Sequence, residues 1–223
     1  MMIMSVGNDT IKFGTETNVT IMAAGYQNIG QPGAPATATD ETIISGGTVN
    51  LYQGSELSDS TVMAGGTLID EGGTTSNIEF QNGAIVVYSN ISGITVAAGV
   101  SAQILGYPVV NATLEGGASL TIDTFGTLSG TLNFVGLSNT LDVQNGSYML
   151  ASAAGFGATD QMILEAVTYG GTTSFVYSGN TQSGVLSVTD GTNLQTINFA
   201  GDYSQSGFTD SGVVGGATVI TYG

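Results

Sequence analysis

Thr42-Ile43-Ile44-Ser45-Gly46-Gly47-Thr48-Val49 returns nineteen residues later as Thr61-Val62-Met63-Ala64-Gly65-Gly66-Thr67-Leu68, and Gly54 returns at the same offset as Gly73. Each copy is a short apolar and hydroxyl stretch that ends in a glycine pair and resumes with Thr and an aliphatic residue. A fixed period near 20 residues marks a unit that buries its apolar face by stacking on copies of itself. Looser copies run from Ile21 to Gly25, Ile78 to Gly83, Ile94 to Gly99, Thr113 to Gly117 and Leu132 to Gly136. Taking Gly25, Gly47, Gly66, Gly83, Gly99, Gly117 and Gly136 as equivalent corners gives spacings of 16 to 22 residues.

The segments between corners are short, rich in Thr, Val and Ile, and often alternate in polarity, as in Ser119-Leu120-Thr121-Ile122-Asp123 and Thr140-Leu141-Asp142-Val143. These are strand signals. No ten-residue window holds a 3.6-residue apolar period without a glycine inside it, which excludes a helical solenoid. Strands with a glycine-enabled bend every few residues wind into a coil, each turn stacking about 4.8 Å from the last. The expected fold is all-β, a parallel β-solenoid of the right-handed β-helix-like kind. About seven coils make it roughly 34 Å long, with Val, Ile and Leu inward and Thr, Ser and Asn outward.

Beyond Asp160 the beat is lost. Met162 to Val167, Thr173 to Tyr177, Val185 to Val188, Leu194 to Phe199 and Ala217 to Tyr222 read as longer strands, and Asp190-Gly191 is a hairpin signal. The expected organisation is an N-terminal strand segment with a flexible insert (1–40), the solenoid repeats (41–150), and a C-terminal antiparallel cap or small sandwich (151–223). The insert is Gln31-Pro32-Gly33-Ala34-Pro35.

Composition narrows the chemistry. The 223 residues include 35 Gly and 17 Asp plus Glu but one cation, Lys12, for a formal charge of −16, with no Arg, His, Cys or Trp. No thiolate nucleophile, Ser-His-Asp triad, Cys/His zinc site or imidazole switch can be built from this alphabet. A chain with one cation cannot neutralise a run of phosphates, so nucleic acid and anionic lipid are poor partners. Phe80 to Leu114 is uncharged, yet Asn82, Ser89, Asn90, Ser92, Gly93, Gly99, Gln103 and Pro108 interrupt it, and no membrane insertion is expected. Met1 to Gly14 has neither the basic nor the apolar region of a classical signal peptide, so export is expected by another route or from a leader outside this sequence.

The repeat resembles the Gly-Gly-Thr repeats in passenger regions of bacterial autotransporter adhesins, the family typified by the adhesin of diffuse adherence. Ile44-Ser45-Gly46-Gly47-Thr48-Val49 and Met63-Ala64-Gly65-Gly66-Thr67-Leu68 carry the likeness, which covers about residues 18 to 136. It implies an extracellular or bacterial cell-surface solenoid used as stalk, adhesin or matrix component. The outer-membrane barrel of that family has no counterpart in this sequence. Leu186 to Gly191, Ile197 to Tyr203, Phe208 and Gly215 to Val219 are similar to a C-terminal module of large secreted alphaproteobacterial proteins, which there can precede a self-cleaving domain. Such a domain is expected to be absent or removed here.

Candidate sites are few. Gly155-Phe156-Gly157-Ala158-Thr159-Asp160 partly matches a calcium-binding nonapeptide, but once and one glycine short, so a turn entering a strand is the favoured reading and Ca²⁺ the only cofactor considered. Asp40-Glu41 and Asp70-Glu71 are neighbours whose side chains point to opposite strand faces, and Asp70-Glu71 reads as a solvated corner. Asp123 and Asp142, about one coil apart, are the best pair for a carboxylate-dependent glycoside hydrolase; their ordinary reading is the solvent face of strands. A Thr ladder through Thr48 and Thr67 breaks after two rungs, against an ice-binding face. Tyr52, Tyr88, Tyr107 and Tyr148 offer sugar-stacking or partner surfaces, with half of the nine tyrosines expected in the core. No catalytic, cofactor-binding or metal residue is assigned. The expectation is a secreted, non-enzymatic solenoid that forms homo-oligomers or homopolymers, as filament, matrix or surface layer, and supports adhesion to a glycan or a cell-surface protein. A glycoside hydrolase or glycan-binding solenoid acting on neutral polysaccharide is the alternative.

Overall fold

The computed structural model describes residues 3–5, 8–81, 83–88, 92–104 and 108–223. Among the described residues nearly all regular structure is strand; the single helical turn is the 3₁₀ segment Gln205–Gly207. The two copies of the repeat lie side by side as parallel strands, with Thr42 opposite Thr61, Ile43 opposite Val62, Thr48 opposite Thr67 and Val49 opposite Leu68. One offset of nineteen residues is therefore one coil, and the fold is a parallel β-solenoid of about eight turns.

Two compact units divide the chain. The first takes residues 1–91 with 99–102. Its coils are three-sided. One parallel sheet runs through Ile3–Ser5, Val19–Ile21, Thr42–Ile43, Thr61–Val62 and Glu79–Phe80. A second contains Asn8–Ile11, Tyr26–Ile29, Thr48–Tyr52, Thr67–Glu71 and Ile85–Tyr88. The third contains Gly14–Thr17, Ala36–Thr39, Glu56–Ser58 and Thr74–Ser76. Period-two alternation turns every other side chain inward, and the in-register parallel ladder stacks like on like. Val49, Leu68 and Val86 make one fully buried column, and Ile21, Ile43 and Val62 another. Each such side chain contributes roughly 1.5–3 kcal/mol by leaving water.

The glycine pair at the corner has two separate causes. Gly46 and Gly65 sit at φ +77° and +73°, which a side chain resists. Gly47 and Gly66 close the turn, their N–H groups bonding Ile44 and Met63 carbonyls at 2.8 Å. A Cβ on Gly47 would stand 2.5 Å from the Ile21 carbonyl oxygen of the coil before, and on Gly66 2.6 Å from that of Ile43. The expected corners are turns, but the proposed equivalence mixes two positions. Gly83, Gly99 and Gly117 occupy the positive-φ place, and Ala84 and Ala118 close the turn. Gly136 precedes its corner by two residues, since the register of Ser119 with Thr140 sets Ser138, at φ +64°, opposite Gly117. A further corner uses Asn18, Asp40, Asp59 and Asn77, all at φ between +51° and +59°, residue types that tolerate the left-handed region.

The solenoid does not start at residue 41. Ile3–Ser5 pairs with Val19–Ile21, and Gly14–Thr17 with Ala36–Thr39, so residues 1–40 supply coils of their own. Nor is the insert a loose tether. Gln31 and Ala34 exchange backbone hydrogen bonds of 3.1 and 2.8 Å, and Ala34 is buried. A proline-glycine stretch reads as flexible when the ladder partners of its neighbours are unknown; here the paired strands on both sides hold it.

The second unit takes residues 92–98 and 103–223. Ser92–Val96, Pro108–Glu115, Thr127–Val135 and Ser152–Ala154 form a parallel series, and Ser119–Ile122, Thr140–Val143 and Gln161–Thr168 another. The pattern then turns antiparallel. Leu194–Ala200, Ser183–Thr189 and Ser174–Gly179 form a meander, with Asp190 and Gly191 in the expected hairpin. Ala217–Tyr222 lies antiparallel on Gln161–Thr168 and carries Phe208–Ser211, a strand the sequence reading missed. Phe199 centres the packing of this cap, its ring 4.9 Å from Tyr203, 5.1 Å from Phe208 and 5.9 Å from Phe156. Aromatic edges and faces there fill the volume that Val and Ile fill in the coils.

Gly47→Ala should cost about 1–3 kcal/mol of stability, because a carbonyl of the neighbouring ladder cannot move aside. Gly171→Ala, where a Cβ meets nothing within 4 Å, should change it by less than about 0.5 kcal/mol. Denaturant melts of the two variants check the pair.

Candidate functional site

The inward columns are where the acidic residues become informative. In the second sheet of the first unit, Asp9 stands opposite Gln27, Gln27 opposite Val49, and Val49 opposite Leu68. In the third sheet Glu16 stands opposite Ala38, and Ala38 opposite Leu57. These two columns thus run from aliphatic in the later coils to acid or amide in the first, whereas the column of Ile11, Ile29, Leu51 and Asp70 is aliphatic in the first coil and acidic in a later one. Gln27 is fully buried and donates through Nε2 to Glu16 Oε2 at 3.3 Å. Glu41 joins this set at 1% exposure. Its own N–H donates to Ser60 Oγ at 2.9 Å and its carbonyl accepts from Thr61 at 2.9 Å. Burial, reinforced by the carboxylates of Glu16, Asp9 and Asp40, pushes Glu41 up to about 8. Burial and then Asp9 raise Glu16 as well.

Asp70 corrects the expectation of a solvated corner. Strand alternation over Thr67–Glu71 turns Leu68 and Asp70 inward, and Asp70 occupies the column of Leu51 at 1% exposure. Its Oδ1 accepts the N–H groups of Gly72 and Gly73 at 3.1 and 2.9 Å, ordering the bend from inside. Burial raises it to about 6, partly offset by those two bonds. Glu41 and Asp70 therefore do not titrate with the ordinary carboxylates.

The remaining candidates have defined positions and partners. Asp160 Oδ1 accepts from Asn139 N at 2.9 Å and Asn139 Nδ2 at 3.1 Å, and Oδ2 accepts from Gly157 N at 2.9 Å. Gly155 to Asp160 is a turn leading into Gln161–Thr168, with its carboxylate committed to two segments of the chain. Asp142 stands opposite Thr121, not Asp123, so the two acids do not share a rung. Asp142 accepts from Gln144 Nε2 at 2.7 Å on the outer side of a strand whose Leu141 and Val143 are buried. Its carboxyl is raised by burial, with Asp123 adding to the shift. Thr48 and Thr67 do pair, and Ile85 follows them, so the ladder has two rungs as expected. Of the tyrosines considered, Tyr52 is half-buried and Tyr148 exposed. The Tyr88 side chain, Tyr107, Asn82, Ser89 and Asn90 lie outside what the structure describes.

One concave feature belongs wholly to the second unit. Ser152–Ala154 pairs in parallel with Leu194–Ala200, Ser152 opposite Asn198 and Ala153 opposite Phe199. Carried back, that register would set Leu150 against Thr196 and Tyr148 against Leu194. The strands part instead, and among the described residues Tyr148–Met149 pairs with Thr127 and Leu128 alone. A groove of about 230 Å³ opens between them, walled by Tyr148, Met149, Leu150, Leu194, Gln195 and Thr196. None of its lining residues is charged. No local sequence signal marks it, because the parting arises where a parallel coil meets an antiparallel meander.

No protein-family model and no curated protein matches the chain in sequence. Among solved structures, a crystal structure of a TibC-catalysed, hyper-glycosylated TibA fragment is similar at a TM-score of 0.41 and 19% identity, over 74% of this chain and 74% of that one.

Stability should fall as pH rises through the window set by the buried acids. Unfolded, Glu41 and Asp70 ionise near 4.5 and 3.8; folded, near 8 and 6. Between those limits the folded state binds more protons, so each group subtracts up to about 1.4 kcal/mol per pH unit. Denaturant melts from pH 5 to 9 check the slope, and Glu41→Gln should flatten its upper part, above pH 6.

Proposed function

We propose that the chain is a non-enzymatic structural protein of the cell exterior whose coils self-associate and support adhesion, with a glycan or a surface protein of another cell as its outward partner. The observation that carries this reading is the first coil. Among the described residues, Ile3–Ser5, Asn8–Ile11 and Gly14–Thr17 each pair with a strand on one side only. Three strand edges, one at the end of each parallel sheet, form a template for another set of strands. Its interior positions include Asp9 and Glu16, beside Ile11. Inward-pointing charge is a means by which strand edges resist pairing, and protonation removes it. A formal charge of −16 adds repulsion between copies that fades over the same range. Adhesive self-assembly favoured by mild acid is the behaviour these features support, and the carboxylates placed on backbone and amide donors at Asp70, Asp142 and Asp160 fit a framework role.

Light scattering from a dilute sample should show one copy at pH 7 and growing mass toward pH 4. Asp9→Asn with Glu16→Gln should move that transition upward by about one pH unit or more. A single copy throughout, in both proteins, would remove the self-association reading.

A further inference from the structure

We infer that the groove of the second unit receives the Val213-Val214 tip of a second copy, a lateral contact distinct from pairing at the first coil. This rests on the self-association reading and names a surface for it. The tip is the most exposed apolar feature described, with Val213 at 81% and Val214 at 80% exposure. Gly216 N–H bonds the Val213 carbonyl at 2.7 Å to close the turn, with Gly215 at φ +85°. Tyr169 braces it from behind, accepting from Gly215 N at 2.9 Å and donating to the Gly216 carbonyl at 2.8 Å. Two valines are thus held outward on a fixed turn, and little conformational freedom remains to be lost on docking.

The groove is the complement. Leu194 is 68%, Leu150 60% and Tyr148 56% exposed, so its rim is aliphatic and aromatic, and its size suits two or three small side chains. Charge selects the pairing. On a chain of −16, copies approach most easily where neither presents a carboxylate. The segment Gly212-Val213-Val214-Gly215-Gly216-Ala217 and the groove lining are both uncharged. Each copy carries both halves, so the contact joins unlike surfaces and can propagate from copy to copy.

The test uses the full chain at pH 7 in 0.5 M sodium chloride, where salt screens surface repulsion without the acid that the first-coil pairing calls for. One variant carries Val213→Asn and Val214→Asn, the other Leu150→Asn and Leu194→Asn; all four side chains are exposed, and unchanged circular dichroism and melting confirm that both fold. Sedimentation velocity should show association of the unmodified chain. Each variant alone should associate roughly 100-fold more weakly. An equimolar mixture should recover a two-copy complex, because one variant keeps the groove and the other the tip. Variants that associate like the unmodified chain, or a mixture no different from its components, would overturn the tip-and-groove contact. So would a chain that stays single here yet assembles at pH 4, which leaves the broader reading standing; a chain single under both conditions ends both.

Discussion

The constraint on which everything else depends is the backbone ladder between successive coils. Parallel strands bond at a fixed spacing of about 4.8 Å, and each coil must lay its carbonyls and amides where the previous coil offers partners. The path of one turn therefore dictates the path of the next. This is why Gly47 and Gly66 meet the carbonyls of Ile21 and Ile43 at the same place, one coil apart. It is also why Asn or Asp recurs at positive φ in four successive coils. The side chains are chosen after the path is set, and mostly have to be small, branched or locally hydrogen-bonded.

A ladder of this kind makes the interior a set of columns, and a column accepts a polar residue only at a cost that some neighbour offsets. Asp70 meets two backbone N–H groups, and Asp160 meets Asn139 and Gly157. Both are acids used as local backbone clamps. Asp9, Glu16 and Gln27 are different in kind, because they gather at one end of the first unit and replace the aliphatic residues that continue two of its columns, with the buried Glu41 beside them. Clamping explains the scattered acids; it does not explain a gradient. A gradient of polarity in these two columns makes the first coil a poor template while its acids are charged and a better one once they are neutral.

Much of this was legible from the chain. Thr42 to Val49 and Thr61 to Leu68 fixed the coil, its length and its parallel register, because stacking in register requires sequence repetition. The hairpin at Asp190-Gly191 was legible from local turn chemistry. The corner alignment slipped by one or two residues where Ala84, Ala118 and Ser138 took places held by glycine elsewhere, since only the ladder decides which of two adjacent residues must bend. Asp70 was available from alternation alone: if Leu68 points inward, so does the residue two along. Reading the acidic pair as a corner hid it. The groove beside Tyr148 had no sequence signal, because it depends on Leu194 to Thr196, more than forty residues away, failing to follow a register begun at Asn198.

That failure of register has a physical reason. Leu194–Ala200 serves two partners, lying antiparallel to Ser183–Thr189 along its full length and parallel to Ser152–Ala154 over two residues. Antiparallel and parallel ladders place their hydrogen bonds differently and twist neighbouring strands by different amounts. A strand held by seven antiparallel pairs follows that meander, and the coil strand beside it can match only locally. The groove is therefore the seam where one mode of pairing hands over to the other, and its walls are side chains that full pairing would have brought together. A seam of this origin is lined by aliphatic, aromatic and uncharged polar side chains together, which makes it a surface suited to a contact between copies of a chain that elsewhere repels itself.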